Sequence, residues 1–281
     1  VEENKGYLVM SKEGKYIYCI IDGHEERDLG IEGIGGRGDR VHTVVFEDIA
    51  AVASNSPIVK YPISKENTLT HMKVMEKLMD DYIILPVKFG TIAEGSKRRN
   101  PQDRIKIEIL MARYTELKDL LNRMTDKIEL GLKALWMDME AIFKEIVEEN
   151  KDIEILKKRI STGNTAQPLS HRIELGEMVK KALEAKRIEE ELEILKMLDG
   201  AYSKLRRNKI FGDNMITNSA FLLEKHRIDE FDNIFEQLNS AYKDRIRFKY
   251  VGPVPPCNFV ELVINLKGDE DERGKESTSR I

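Results

Sequence analysis

The stretch RIRFKYVGPVPPCNFVELVIN, residues 245–265, reads as two extended segments around a stiff connection. Ile246, Phe248 and Tyr250 alternate with Arg245, Arg247 and Lys249, the period-two pattern of a strand buried on one face. Val260, Leu262 and Ile264 begin a second alternation. Between the two lie Gly252, Pro253, Pro255 and Pro256, which hold three of the chain's 8 prolines in four positions. Proline lacks an N–H and fixes φ, so the connection is expected to end one strand and start the next.

Upstream of this stretch, Ile228, Phe231, Phe235, Leu238 and Tyr242 form a helical stripe, preceded by a strand at NMITNSAFLL (214–223). Two long amphipathic helices come before that. The first carries Met139, Ile142, Phe143, Ile146, Val147 and Ile153. The second carries Met178, Ala182, Ala185, Leu192, Leu195, Leu198, Tyr202 and Leu205. STGNTAQP (161–168) separates them with turn-forming residues, so they are expected to run antiparallel as a coiled-coil-like hairpin over 138–208. Their outer faces mix Glu with Lys and Arg, as solvated helix surfaces do. KIELGLKALWM (127–137) reads as a strand with Ile128, Leu130, Leu132 and Leu135 inward, although Leu, Lys and Ala also favour helix.

The first hundred residues are rich in strands. KYIYCII (15–21) and VHTVVF (41–46) are dense in β-branched and aromatic residues, and IAAVAS (49–54) follows a turn at Glu47-Asp48. Ser64 is placed to cap a helix with Glu66 in its first turn and Leu69, Met72, Met75 and Met79 on one face. YIILPVKFGTI (82–92) is a strand containing a proline, which places it at an edge or bulge. A polar break, KRRNPQD (97–103), precedes a helix bearing Ile107, Leu110, Tyr114, Leu117, Leu121 and Met124.

Both ends of the chain thus run strand, helix, strand. The expected class is α+β, with two domains of antiparallel sheet backed by helices in a ferredoxin-like manner. The first domain is placed at 1–98, a connecting helix at 99–126, and the second domain at 127–267 with the helical hairpin inserted. The charged tail GDEDERGKESTSRI (268–281) is expected to be disordered.

Composition narrows the chemistry. Of 281 residues, 41 % are hydrophobic and 34 % charged, and the formal net charge is −4, so no strong basic field draws in nucleic acid. No apolar run approaches the roughly 18 residues of a membrane span. VEENKGYLVM (1–10) lacks the pattern of a signal peptide. Cys19 and Cys257 show no metal-ligand spacing and read as small apolar residues in a reducing, cytoplasmic setting.

GIGGRGD (33–39) lacks the G-x-G-x-x-G spacing and feeds a strand, so it reads as a mobile hairpin or crossover loop rather than a phosphate cradle. None of the histidines, His24, His42, His71, His171 and His226, sits in a metal or nucleophile motif. His71, on an apolar helix, reads as a packed and hydrogen-bonded side chain. No catalytic residue, cofactor site or metal site is expected, and these patterns point to a structural or interaction protein.

YVGPVPPCNFV (250–260) resembles the closing signature of the gas vesicle protein L/F family. ENTLTHMKVMEKLMDDYIILPVKFGTI (66–92) is similar to the family's helix with a histidine followed by its LPV-R/K-FGT segment, and VFEDIAAVAS (45–54) resembles the strand before it. IELGLKALW (128–136) and IELGEMVKKALEAK (173–186) fall where the family has a mid-chain strand and a long helix. Val254 and Cys257 stand where the family usually has an aromatic and often has a tyrosine. The motif residues carried by the resemblance are His71, Pro86, Phe89, Gly90, Gly252, Pro253, Pro255, Pro256 and Phe259, with a structural or interaction role.

The resemblance implies a non-enzymatic accessory protein of gas vesicles, the hollow protein shells that give microbes buoyancy. It implies cytoplasmic association with the small hydrophobic shell subunit, gas vesicle protein A, and with other accessory proteins. The partner surface is expected at a sheet or domain junction, since the charged hairpin exterior is costly to bury. A general coiled-coil adaptor, or an enzyme on a ferredoxin-like scaffold, are the alternative readings.

Overall fold

Strand β1 (Glu13–Ile21) is buried without a break from Tyr16 to Ile21, which requires cover on both faces of its sheet. The computed structural model, which describes residues 13–162 and 169–266, shows how that cover arises. The expected loop at 161–168 lies mostly, and the tail 268–281 wholly, outside the described residues. β1 is joined by β2 (Asp28–Glu32), β3 (Arg40–Phe46), β4 (Ile49–Pro57), β5 (Ile84–Pro86) and β6 (Ile92–Glu94). The order is β2-β3-β4-β1-β5, and β6 also pairs β1. All these pairings are antiparallel. The segment 82–92 therefore forms two short strands: β5 opposite Cys19–Ile21 at the sheet edge, and β6 opposite Gly14–Tyr16.

Helix α1 (Lys65–Glu76) begins at Ser64, whose Oγ accepts from the Asn67 N–H at 3.2 Å. It packs Val74 and Met75 into a core with Tyr16, Tyr18, Val52 and Ile84. Helix α2 (Pro101–Arg104), a π-helical segment (Ile105–Met111) and α3 (Tyr114–Met124) pack against β3, β4, β5 and β6. The stripe expected along this stretch is only partly right. Leu110, Leu117, Leu121 and Met124 are buried, but Ile105 and Ile109 replace Ile107 and Tyr114. The Ala112 N–H reaches back five residues to the Ile107 carbonyl, and that wider turn rotates the face.

The remaining elements are β7 (Lys127–Trp136), α4 (Met139–Glu149), α5 (Lys151–Thr162), α6 (Leu169–Leu198), β8 (Lys204–Arg207), β9 (Met215–Glu224), α7 (Ile228–Ala241) and β10 (Ile246–Val254). Their sheet has the order β10-β7-β9-β8. Two helix boundaries differ from expectation. The first long helix breaks at Asn150, whose side chain donates to the Ile146 carbonyl at 2.7 Å. The second ends at Leu198, before Gly200 at φ +84°, so Leu205 falls in strand β8.

The opening stretch also needs correction. β10 continues through Gly252 and Pro253 to Val254, and the Gly252–Pro253 peptide is cis. Being the edge strand, β10 can carry a residue with no N–H to donate. Among the described residues no second strand follows; Leu262 forms an isolated parallel bridge with Val87.

The described residues form two compact units, one within Val1–Ile128 and Val254–Ile281, the other Glu129–Pro253. The limits expected from sequence were 1–98 and 127–267. The helices of 99–126 belong to the first unit because they cover its sheet, and the residues from Val254 onward return to it.

Candidate functional site

Helix α1 turns His71 inward, leaving it 5 % exposed. The Gly90 N–H donates to the Tyr16 hydroxyl at 3.0 Å, which leaves the Tyr16 proton to reach His71 Nδ1 at 3.0 Å. The Tyr18 ring stacks on the imidazole at 5.7 Å, and Phe89 meets it edge-on at 5.6 Å. Burial pulls the His71 pKa down from 6.5 to about 4, against a hydrogen bond with the Val87 backbone that favours protonation. The ring is neutral at pH 7 and both its nitrogens are engaged. Burial also raises the Tyr16 pKa. This arrangement ties α1, β1 and the 86–91 turn together.

A second lock sits beside it. The Tyr18 hydroxyl bonds Ser54 Oγ at 2.9 Å and accepts from the Ile34 N–H at 2.8 Å. A Cβ on Gly33 would lie 2.5 Å from Ser54 Oγ, so only glycine allows the loop to come this close. The glycine-rich loop, expected to be a mobile hairpin or crossover loop, is the hairpin connection between the antiparallel strands β2 and β3, and the buried Ile34 pins its start over Tyr18.

The two proline-containing motifs meet in the first unit. The Leu262 N–H donates to the Pro86 carbonyl at 2.8 Å, and the Lys88 N–H to the Leu262 carbonyl at 3.0 Å. Pro255 and Pro256 are buried. The Pro256 carbonyl accepts from the N–H groups of Phe259 and Val260, both at 3.0 Å, and Cys257 packs on the core that holds Phe89. The structure thus brings His71, Pro86, Phe89 and Gly90 into one unit with Pro255, Pro256 and Phe259. Gly252 and Pro253 belong to the other unit. There Gly252 has φ +141°, and an added Cβ would stand 2.6 Å from Leu130 Cδ2.

Sequence reasoning missed a charged network in the second unit. Trp136 Nε1 donates to Glu190 Oε2 at 2.7 Å. The Arg245 guanidinium bonds Glu190 Oε1 at 2.6 Å and both Glu145 oxygens at 2.7 and 2.8 Å. Lys186 reaches Glu145 and Glu149, each at 3.0 Å. Arg245, followed by Lys186, holds the Glu145 pKa down to about 2. In the sequence these residues look like the solvated helix face around them. The one usable signal was Trp136, an indole N–H that needs an acceptor once buried. Among the described residues no group of three or more His, Cys, Asp or Glu is placed to hold a metal.

The profile of a family described as gas vesicle synthesis protein GvpL/GvpF matches residues 14–261. The chain belongs to this family. It is 24 % identical over 253 residues to gas vesicle protein F of Dolichospermum flosaquae, covering 88 % of this chain and 97 % of that one. It is 22 % identical to gas vesicle protein F1 of Halobacterium salinarum, covering 93 % and 98 %. The crystal structure of GvpF from Anabaena sp. PCC7120 superposes with a TM-score of 0.73 at 20 % identity, covering 89 % of this chain and 99 % of that chain. GvpF from Microcystis aeruginosa gives 0.72 at 21 % identity with the same coverage. These likenesses support the mixed helix and antiparallel-sheet fold, and the family supports an accessory role in gas vesicles. No helix among the described residues is long and apolar enough to cross a membrane.

Proposed function

We propose that the protein is a non-enzymatic accessory factor of gas vesicle assembly that binds the small hydrophobic shell subunit, gas vesicle protein A, in the cytoplasm before it polymerises. The observation that carries this reading is the family match from residue 14 to 261. The motif residues support it, because His71, Pro86 and Gly90 are engaged in internal hydrogen bonds rather than facing an open site. A self-polymerising apolar subunit is best held by burying its apolar face. The surface expected at a sheet or domain junction is better sought on α4–α6, where Phe143, Ile155, Leu169, Ile173, Ile188 and Leu192 are exposed. Co-purification with the shell subunit at low and high sodium chloride tests the reading. The complex is expected to survive high salt, since apolar burial is not screened. Complex formation only at low salt would contradict the apolar mode, and no complex at any salt would remove the proposal.

A further inference from the structure

Three neighbouring strands of the first sheet bring Lys15, His42 and Asn55 together on one face. The β1–β4 register sets Lys15 opposite Asn55, and the β3–β4 register sets His42 opposite Ala53. Residues two apart along a strand share a face, so Ala53 and Asn55 point the same way as the side chains opposite them. Ala53 is fully buried and ends at its Cβ, and the two longer side chains meet across it. Lys15 Nζ stands 2.8 Å from His42 Nε2 and 2.9 Å from Asn55 Oδ1.

The hydrogen bonds fix which atom donates. His42 Nδ1 lies 3.2 Å from the Arg40 carbonyl oxygen, which can only accept, so the ring proton sits on Nδ1. Nε2 of the neutral ring then turns its lone pair toward Lys15 Nζ. Burial lowers the His42 pKa; the Arg40 bond opposes this, the Lys15 charge adds to it, and Asp28 and Glu26 oppose it. Burial also lowers the Lys15 pKa, which raises the share of free amine. Lys118, Lys158 and Lys186 each hold a carboxylate that keeps the ammonium protonated. Lys15 is ion-paired with no carboxylate among the described residues. Its neighbour Asn55 is exposed, which leaves the amine within reach of a small reagent.

We propose that Lys15 is a site of N-acylation by small acyl phosphates, with His42 as the general base. The lone pair of the free amine attacks the acyl carbon, and a C–N bond forms as the C–O bond to phosphate breaks. Phosphate leaves with the electron pair of that bond. The Nζ proton passes to His42 Nε2 and then to water, while Asn55 Oδ1 accepts the other Nζ hydrogen and orients the amine. The step needs no oxidant or reductant. Its product is a neutral amide, so the modification removes the Lys15 charge from this face of the sheet. The proposal does not depend on the shell-subunit reading.

The test gives the full chain acetyl phosphate near neutral pH and follows each lysine by peptide mass spectrometry at low conversion. Lys65 and Lys133, both exposed, serve as references. Lys15 is expected to be acetylated about tenfold faster than either, short of the roughly hundredfold that a well-placed base supplies in an enzyme. His42→Gln keeps a hydrogen-bond acceptor and loses the basic nitrogen, so it should bring the Lys15 rate down to that of the references and leave their rates unchanged. Should that variant not fold, as judged by circular dichroism, His42→Asn makes the same comparison. Lys15 reacting no faster than Lys65 and Lys133 would overturn the proposal. So would a Lys15 rate unchanged by loss of the imidazole, since burial of the amine would then account for the reactivity without a base.

Discussion

At His71, position on the helix decides the chemistry. His71, Val74, Met75 and Leu78 are buried at the i, i+3, i+4, i+7 spacing, whereas Leu69, which the sequence placed inward, is 45 % exposed. An apolar stripe drawn without the histidine is set out of phase by one polar residue. A histidine buried neutral stabilises the fold fully above its unfolded pKa, and that contribution is lost as pH falls toward the folded value. For His71 the window runs from 6.5 down to about 4. The shift corresponds to about 3 kcal/mol. Urea midpoints measured from pH 7 to 4 are expected to fall more steeply in the parent than in His71→Gln. Parallel curves would show that His71 titrates normally. Gly252 permits a second prediction. A side chain there is strained at φ +141° and collides with Leu130, so Gly252→Ala should cost about 1–3 kcal/mol, read as a lower urea midpoint. The glycine and prolines were legible as a special backbone; that Gly252 fits against Leu130 was not, because the contact spans more than a hundred residues.

Among the elements, the longest and most periodic were legible and the short ones were not. β7 was readable from its inward Ile128, Leu130 and Leu132, but Leu135, also placed inward, is off the alternation, which continues through Ala134 and Trp136. β8, with one apolar residue in KLRR, offers no alternation to detect. The single bridge at Leu262 shows why alternation over 260–264 misled: the spacing of apolar residues cannot say whether a neighbouring strand is present to pair with. The helices α4 and α6 are joined to β7 and to the start of β10 through Glu145, Glu190, Trp136 and Arg245. Glu190 is only 8 % exposed, so Arg245→Ala strands a buried carboxylate and is expected to cost about 3–5 kcal/mol. Glu145→Gln, on the more exposed side, should cost about 1 kcal/mol. Unfolding followed by the fluorescence of Trp136, the chain's one tryptophan, measures both. Equal costs would mean that the burial of Glu190 does not dominate.

On the scale of the whole molecule, the described residues divide into two compact units. The break at KRRNPQD is polar and contains a proline, yet the helices after it cover the first sheet. The first unit is discontinuous in sequence and includes the Leu262 bonds to Pro86 and Lys88. The contiguous fragment 129–253 is therefore expected to unfold cooperatively on its own. Fragment 1–128 should gain stability when residues 254–266 are supplied as a peptide. Failure of 129–253 to fold, or no effect of the peptide, would contradict this division.

If, as proposed, the protein holds a hydrophobic shell subunit before it polymerises, light scattering by that subunit reports it. Gas vesicle protein A diluted from denaturant should scatter light as it aggregates. This protein is expected to suppress the scattering at near-stoichiometric ratios in both low and high salt. Scattering unchanged by a several-fold excess of folded protein would contradict it.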